Sequence, residues 1–226
     1  MHFKYLFRLK MAESEALTLT FRIILISLYS LFSIIRLNIS RMTRKLQKNS
    51  EIKEKKFRLS FVQFFIITTV IIFFLYIFLP QWFDWSKLPN YPITLKWIGT
   101  GFGFFAIIFF IFVHIHLGKN FSYTLIIYED HKLIKTGPYK LVRHPMYTAF
   151  LFLHSAVFLI TGNWFIGLYW ILGLIFVISL RIRHEEKMLV QEFGEEYISY
   201  QKETGALFPN IIKIIQKSKA KESEKQ

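Results

Sequence analysis

The sequence predicts an all-α integral membrane protein of about five transmembrane helices, the last two forming a short C-terminal hairpin. Three observations predict it. Hydrophobic residues make up 53% of the 226 and charged residues 19%, and the apolar ones are gathered into runs of membrane length. Lys and Arg stand in blocks beside those runs, as they do where a chain meets anionic headgroups. The last two apolar runs are separated only by Thr161, Gly162 and Asn163, and so short a connection forces the helices it joins to run antiparallel.

Composition also narrows the chemistry. The formal net charge of +14 would suit nucleic acid, but the cations flank apolar runs instead of lining one face and no nucleic-acid motif accompanies them. Cysteine is absent, which removes disulfides, thiolate catalysis and thiolate-held zinc.

Residues 1–60 form an N-terminal segment with one transmembrane helix and a basic linker. The helix, from about Leu17 to Leu37, contains Arg22 and Arg36 and no small-residue cleavage site, so it reads as a retained span whose arginines snorkel, not as a signal peptide. The linker from Arg41 to Arg58 is dense in positive charge. Residues 61–117 hold the next two spans. Phe61 to Leu79 is uninterrupted and closed by Pro80, and Ile93 to Leu117 follows. Trp82, Trp85, Tyr91 and Trp97 mark a membrane interface between them, and the charge contrast puts this loop outside and the basic linker in the cytoplasm.

The stretch GTGFG from Gly99 to Gly103 is spelled like a nucleotide-binding glycine loop. It lies inside an apolar run without a strand before it, so the expectation is a small-residue seam for close helix packing. His114 and His116 stand two residues apart and face different sides of a helix, so no metal site is expected there. Residues 118–209 form a core: a polar loop from Gly118 to Val142 with strand-like TLIIY, the hairpin helices Met146 to Ile160 and Trp164 to Leu180, and an amphipathic interfacial helix from Glu185 to about Thr204. Residues 210–226 are a charged tail.

Polar and ring-bearing residues crowd the open end of the hairpin. They read YEDHKLIKTGPYKLVRHPMY from Tyr128 to Tyr147 and RIRHEEKMLVQEFGEEYISY from Arg181 to Tyr200. The hairpin brings His144 and the Arg181 to Glu186 stretch to one side of the membrane, where an unpartnered charge is costly.

With LGKNFS at Leu117 to Ser122, HKLIKTGPYKLVRHPMY at His131 to Tyr147, and Arg181, Glu185 and Glu186 ahead of FGEEYISY, the chain resembles the isoprenylcysteine carboxyl methyltransferases and their phospholipid methyltransferase relatives. These are membrane-embedded enzymes that use S-adenosyl-L-methionine, and the likeness covers roughly Leu117 to Pro209. It implies a cytoplasmic cofactor pocket made by His131, Lys132, Leu133, Ile134, Tyr139, His144, Pro145, Met146 and Tyr147 and closed by Glu185. It also implies that Arg181 positions the acceptor, with Arg143 and Glu186 as further members of the site. Ala149 stands where the family often has Gly, and the GALFP stretch before Pro209 lacks an Arg.

The function implied is methyl transfer from S-adenosyl-L-methionine to a lipophilic or lipidated acceptor drawn from the bilayer, with an isoprenylcysteine carboxylate nearest the resemblance. Alternatives are a phospholipid amine or small thiol acceptor, an NADPH-dependent reductase of the sterol type, and a non-catalytic lipid-binding protein. The chemistry is consistent with the residue types: the cofactor needs edge hydrogen bonds, a carboxylate and aromatic walls. An in-line transfer to a carboxylate or thiolate asks mainly for positioning and desolvation.

Plainer readings of the same residues stand beside these. Arg143 and Tyr147 could be interfacial anchors, Arg181 and Glu185 an ordinary i, i+4 pair on a solvated helix start, and His154 a hydrogen-bonding partner of a neighbouring helix. Pro145 suits the first turn of a helix and would direct His144 outward to the loop.

Overall fold

The computed structural model describes residues 2–46, 56–117, 133–213 and 215–216. Within them lie six α-helices: α1 (His2–Leu46), α2 (Lys56–Phe78), α3 (Ile93–Leu117), α4 (Pro145–Thr161), α5 (Trp164–Phe193) and α6 (Glu195–Glu203). The linker from 47 to 55, the TLIIY stretch, His131 and Lys132 lie outside the described residues, as do all of LGKNFS but Leu117 and the tail from 217. Among the described residues the only β pairings are two isolated bridges, Lys87 with Asn163 and Val142 with Gly205.

Each of the five apolar segments expected from the sequence is helical. Three stretches, Glu15–Arg41, Ile93–Leu117 and Trp164–Phe193, are each long and apolar enough to cross a membrane. Val62–Phe78 joins the 3₁₀ turn Pro80–Ser86 as a fourth candidate, bent by 102° at the break. The bend falls at Pro80, which has no backbone donor to continue α2. α4, with 17 residues, is apolar but short for a span.

The hairpin has the local chemistry its sequence promises. Pro145 opens α4, and Gly162 ends it in the left-handed region at φ +59°, where a side chain would be strained. Asn163 then caps α5 by accepting from the Ile166 N–H at 3.0 Å. The same buried side chain donates to the Phe83 carbonyl at 2.9 Å and accepts from Ser86 Oγ at 3.0 Å, pinning the 3₁₀ turn to the hairpin tip. At that end of the bundle Lys96 Nζ donates to the Ile160 carbonyl at 3.0 Å and lies over the Phe21 and Tyr91 rings, and the rings of Trp82, Trp85 and Trp97 are exposed.

Close approach explains the glycine seam. A Cβ at Gly99 would come 2.6 Å from Leu159 Cβ and 3.0 Å from the Ile160 backbone nitrogen, and one at Gly103 would come 2.6 Å from Leu28. Helix α4 therefore packs onto α3 at Gly99 through a backbone approach that admits no side chain, while at Gly103 the space is taken by the Leu28 side chain of α1. The resulting core runs through Leu25, Leu28, Phe32, Phe110, Leu153 and Trp170.

One element differs from expectation. No separate interfacial helix starts at Glu185; α5 continues unbroken for 30 residues, to Phe193. The switch from apolar to charged residues after Leu180 looks like a helix boundary in the sequence, but it contains neither Gly nor Pro. The first breaker is Gly194, at φ +52°, and α6 begins there. Arg181 and the glutamates therefore sit inside a rigid helix, not at its frayed end.

Candidate functional site at the mouth of the hairpin

Three segments converge at the end of the bundle opposite the tryptophans: the turn from Leu133 to His144, the first turn of α4, and the charged part of α5. The 3₁₀ turn Gly137–Lys140 is seated on the end of α3, with Gly137 against the His116 ring. Leu133 and Ile134 lie half-buried just before it.

Glu186 is the hub. Its Oε1 accepts from Arg143 Nε at 2.9 Å and lies 2.9 Å from Arg143 Nη2 and 3.1 Å from His144 Nε2. Glu185 points to the other side of His144: its Oε2 accepts from the Tyr147 hydroxyl at 3.0 Å and lies 3.7 Å from His144 Nδ1. The His144 ring, 4% exposed as a residue, is thus held between two consecutive carboxylates. Arg181, one turn before Glu185, is also within reach of the Tyr147 hydroxyl. Tyr139 is buried and feels the Glu185 charge; burial foremost, then that charge and Tyr200, push its hydroxyl well above the usual tyrosine range.

A C-terminal strap completes the site. The Arg143 N–H donates to the Gly205 carbonyl at 2.8 Å and the His144 N–H to the Ala206 carbonyl at 3.0 Å. Thr148 Oγ1 donates to the Leu207 carbonyl at 2.6 Å. The Arg143 guanidinium donates to the Gln201 carbonyl at 3.1 Å and also to that of Thr204. Tyr200 donates its hydroxyl to the Tyr139 carbonyl. Beside them the buried hydroxyl of Tyr197 has no hydrogen-bond partner among the described residues, and it feels the charges of Glu186, Arg143 and Glu185.

The structure gathers Tyr139, Arg143, His144, Tyr147, Arg181, Glu185 and Glu186 of the residues expected from the sequence. Pro145 is buried, and Met146 packs against the apolar clusters beside Phe150. His144 does not face outward to the loop, because Glu185 and Glu186 draw its ring inward against α5. The plain anchoring reading of Arg143 is likewise overturned: both of its faces are used by Glu186 and the strap. Tyr197, Tyr200 and residues 204–207 were not expected in the site. Their one legible signal is the turn-forming Thr204–Gly205 pair two tyrosines beyond the acidic pair.

Fold and site together define a helical, multi-pass integral membrane protein with a buried histidine clamped between carboxylates at one end of the helical bundle. Residues 97–191 match the sequence model of the isoprenylcysteine carboxyl methyltransferase (ICMT) family, so the resemblance read from the motifs is found at the level of the family. The chain is 31% identical over 140 residues to a protein-S-isoprenylcysteine O-methyltransferase of Dictyostelium discoideum, covering 59% of this chain and 58% of that one. The enzyme of the same name from Saccharomyces cerevisiae is 39% identical over 83 residues, 37% of this chain and 35% of its own. Methanethiol S-methyltransferase of Pseudomonas deceptionensis is 42% identical over 74 residues, 32% of this chain and 27% of its own. The chain thus spans little more than half of the first relative and about a third of the second. In fold it is similar to the eukaryotic intramembrane Ras methyltransferase ICMT, with a TM-score of 0.57 and 19% identity, covering 82% of this chain and 66% of that one.

Proposed function

We propose that this protein is an S-adenosyl-L-methionine-dependent methyltransferase of the membrane, acting on the carboxylate of an isoprenylcysteine-like acceptor. The observation that carries the reading is the clamp of His144 between Glu185 and Glu186, built from the residues the family resemblance singles out and lying within the family match.

The donor set fits the cofactor. His144, Tyr139 and Tyr147 supply ring edges and walls, Glu185 an acceptor for hydroxyl or ammonium, and Tyr197 a buried hydroxyl without a partner among the described residues. Leu133 and Ile134 would add apolar contact, with Pro145 and Met146 behind them. When bound, the cofactor supplies a methyl group on a sulfonium, an electrophile with a good leaving group. The protein's part is then to bind, orient and exclude water. Glu186 and the strap hold Arg143 and His144 rigid, so the pocket edge costs little to organise on binding. Arg181 presents a planar, permanently charged fork that can hold an acceptor carboxylate in line. A carboxylate carries no proton to be removed, so the acceptor half needs no general base.

The basic residues that follow Leu37 support a cytoplasmic orientation for this end, and the bilayer around α1 and α4 a lateral supply of a lipophilic acceptor. A small thiol is the second reading, supported by the relative named for methanethiol. The test is a methyl-labelled cofactor assay on purified protein in nanodiscs, with lipophilic acids, amines and thiols offered side by side, and calorimetric titration with S-adenosylhomocysteine and NADPH. Labelling of the acids and binding of S-adenosylhomocysteine are expected. Binding of NADPH alone, or of neither, sinks the proposal, and labelling of thiols alone replaces its acceptor.

A further inference from the structure

Arg22 stands on α1 at the tryptophan end of the bundle, away from the clamp. The Phe21 ring beside it lies 5.1 Å from the exposed Trp97 ring, edge to face, and 5.4 Å from Lys96 Nζ. Arg22 is therefore level with the interfacial rings. Its Nε is buried and has no hydrogen-bond partner among the described residues. An arginine that only snorkels carries its head to water; a guanidinium partly covered and uncompensated at this level is costly. Together with Glu15, Thr18 and Leu19 it lines a cavity of about 210 Å³, room for roughly seven waters at about 30 Å³ each.

The other charges that neighbouring elements bring to this end are engaged. Asp84 and Lys87 pair at 2.6 Å. Lys96 donates to the Ile160 carbonyl and lies over the Phe21 and Tyr91 rings. Residues 59–78 of α2, all of α4 and residues 164–180 of α5 contain no Asp, Glu, Lys or Arg. Neither Glu15 nor Arg22 has an ion-pair partner among the described residues.

Their order along α1 is informative. Glu15, Leu19, Arg22 and Ile26 stand at i, i+4, i+7 and i+11, on one helix face. Seven residues at 1.5 Å each put Glu15 about 10 Å further out than Arg22, and the exposed Ile23 and Ile26 continue the face inward. Read from water to bilayer, this surface offers an anion, then a cation, then apolar area. A zwitterionic phospholipid offers its ammonium, then its phosphate, then its acyl chains, so each group meets its complement.

We propose that this face of α1 binds the head of one phospholipid of the ethanolamine type, with Arg22 on the phosphate and Glu15 on the ammonium. A primary ammonium donates hydrogen bonds to a carboxylate, which the quaternary ammonium of choline cannot do. The site lies at the end of the bundle opposite His144, so the bound lipid is a partner of the fold and not a methyl acceptor, and it stands whatever the acceptor is.

The full chain is equilibrated in detergent with equal amounts of dioleoyl phosphatidylethanolamine, phosphatidylcholine and phosphatidylglycerol and weighed by native mass spectrometry. Wild type is expected to retain the ethanolamine lipid at least fivefold over each of the others. E15Q should bring its ratio to phosphatidylglycerol below twofold, since it removes both the partner of the ammonium and the repulsion of an anionic lipid. R22Q should lower ethanolamine-lipid retention at least fivefold and R22K keep most of it, with S-adenosylhomocysteine affinity unchanged in all three. Wild type that retains phosphatidylglycerol equally or better, or phosphatidylcholine equally, overturns the proposal, as does R22Q that retains lipid like wild type. A measurement on wild type alone is independent of variant folding: a carbodiimide joins a carboxylate to an amine in contact with it. In nanodiscs containing the ethanolamine lipid, the peptide carrying Glu15 should gain the mass of one lipid less one water, and a Glu15 left unmodified contradicts the proposal.

Discussion

Arg143 and Glu186 meet through a single oxygen: Nε and Nη2 of the arginine both lie 2.9 Å from Oε1 of the glutamate, and His144 Nε2 reaches the same atom at 3.1 Å. Three donors on one oxygen make Glu186 a structural hub, while Glu185 turns to Tyr147 on the other side of His144. With side chains only 12% and 20% exposed, the pair is screened far less than a surface pair. Removing Glu186 strands two groups that need a partner, so E186A should destabilise the protein by about 2 to 3 kcal/mol, below the roughly 3 to 5 typical of fully buried pairs. Thermal unfolding in detergent measures it, and R143K should fall between the two because it keeps the charge and loses the fork.

Glu185 should behave oppositely. E185Q keeps an acceptor for the Tyr147 hydroxyl, so the melting temperature should change little. Loss of the charge should weaken S-adenosylhomocysteine binding at least tenfold in calorimetry. A variant that binds normally but melts early would reverse the roles of the two glutamates.

How far the sequence was legible follows from where each signal is written. The hairpin is written locally, in Gly162 and Asn163, and so is the start of α4 at Pro145. The cluster itself was legible because its charges stand beside apolar runs. The full length of α5 was not, since charged residues after Leu180 mimic a membrane exit while leaving helix propensity intact. Of the strap only the turn at Thr204–Gly205 was legible: Gly205, Ala206 and Leu207 act through backbone carbonyls, which any residue carries. The inward turn of His144 depends on which carboxylate lies opposite it, and that is set by the phase of α5 against α4.

The glycine seam gives a paired prediction within one helix. G99V forces a side chain against Leu159 and the Ile160 backbone and should cost roughly 1 to 3 kcal/mol, the range for overpacking. G101A meets nothing within 4 Å and should be neutral or stabilising by up to about 1 kcal/mol. Equal effects at the two positions in a denaturation series would contradict the packing of α3 on α4.

Alkaline pH should loosen the site before the bundle. The hydroxyls of Tyr139 and Tyr200, both outside the spans, are raised above the ordinary tyrosine value, chiefly by burial. A raised value means that the folded state keeps its proton where the unfolded state has lost it. The stabilisation is therefore complete below about pH 10 and declines as pH rises further. Melting temperatures between pH 8 and pH 11 should fall more steeply for wild type than for Y139F. Parallel curves would show that the Tyr139 hydroxyl is solvated.

The strap also sets an order of assembly. Arg143 and Thr204 are 61 residues apart, which at about 5 to 20 residues per second is roughly 3 to 12 seconds of synthesis. For the first 43 residues of that interval the arginine has neither the Glu186 carboxylate nor the strap carbonyls to receive it, and for the remainder it still lacks the Thr204 carbonyl. Water and headgroups are the solvents available to the charge meanwhile, and this holds the first turn of α4 at the surface of the bilayer. The delay thereby fixes how deep the nascent hairpin can sink before its own C-terminal residues arrive to cover the charge.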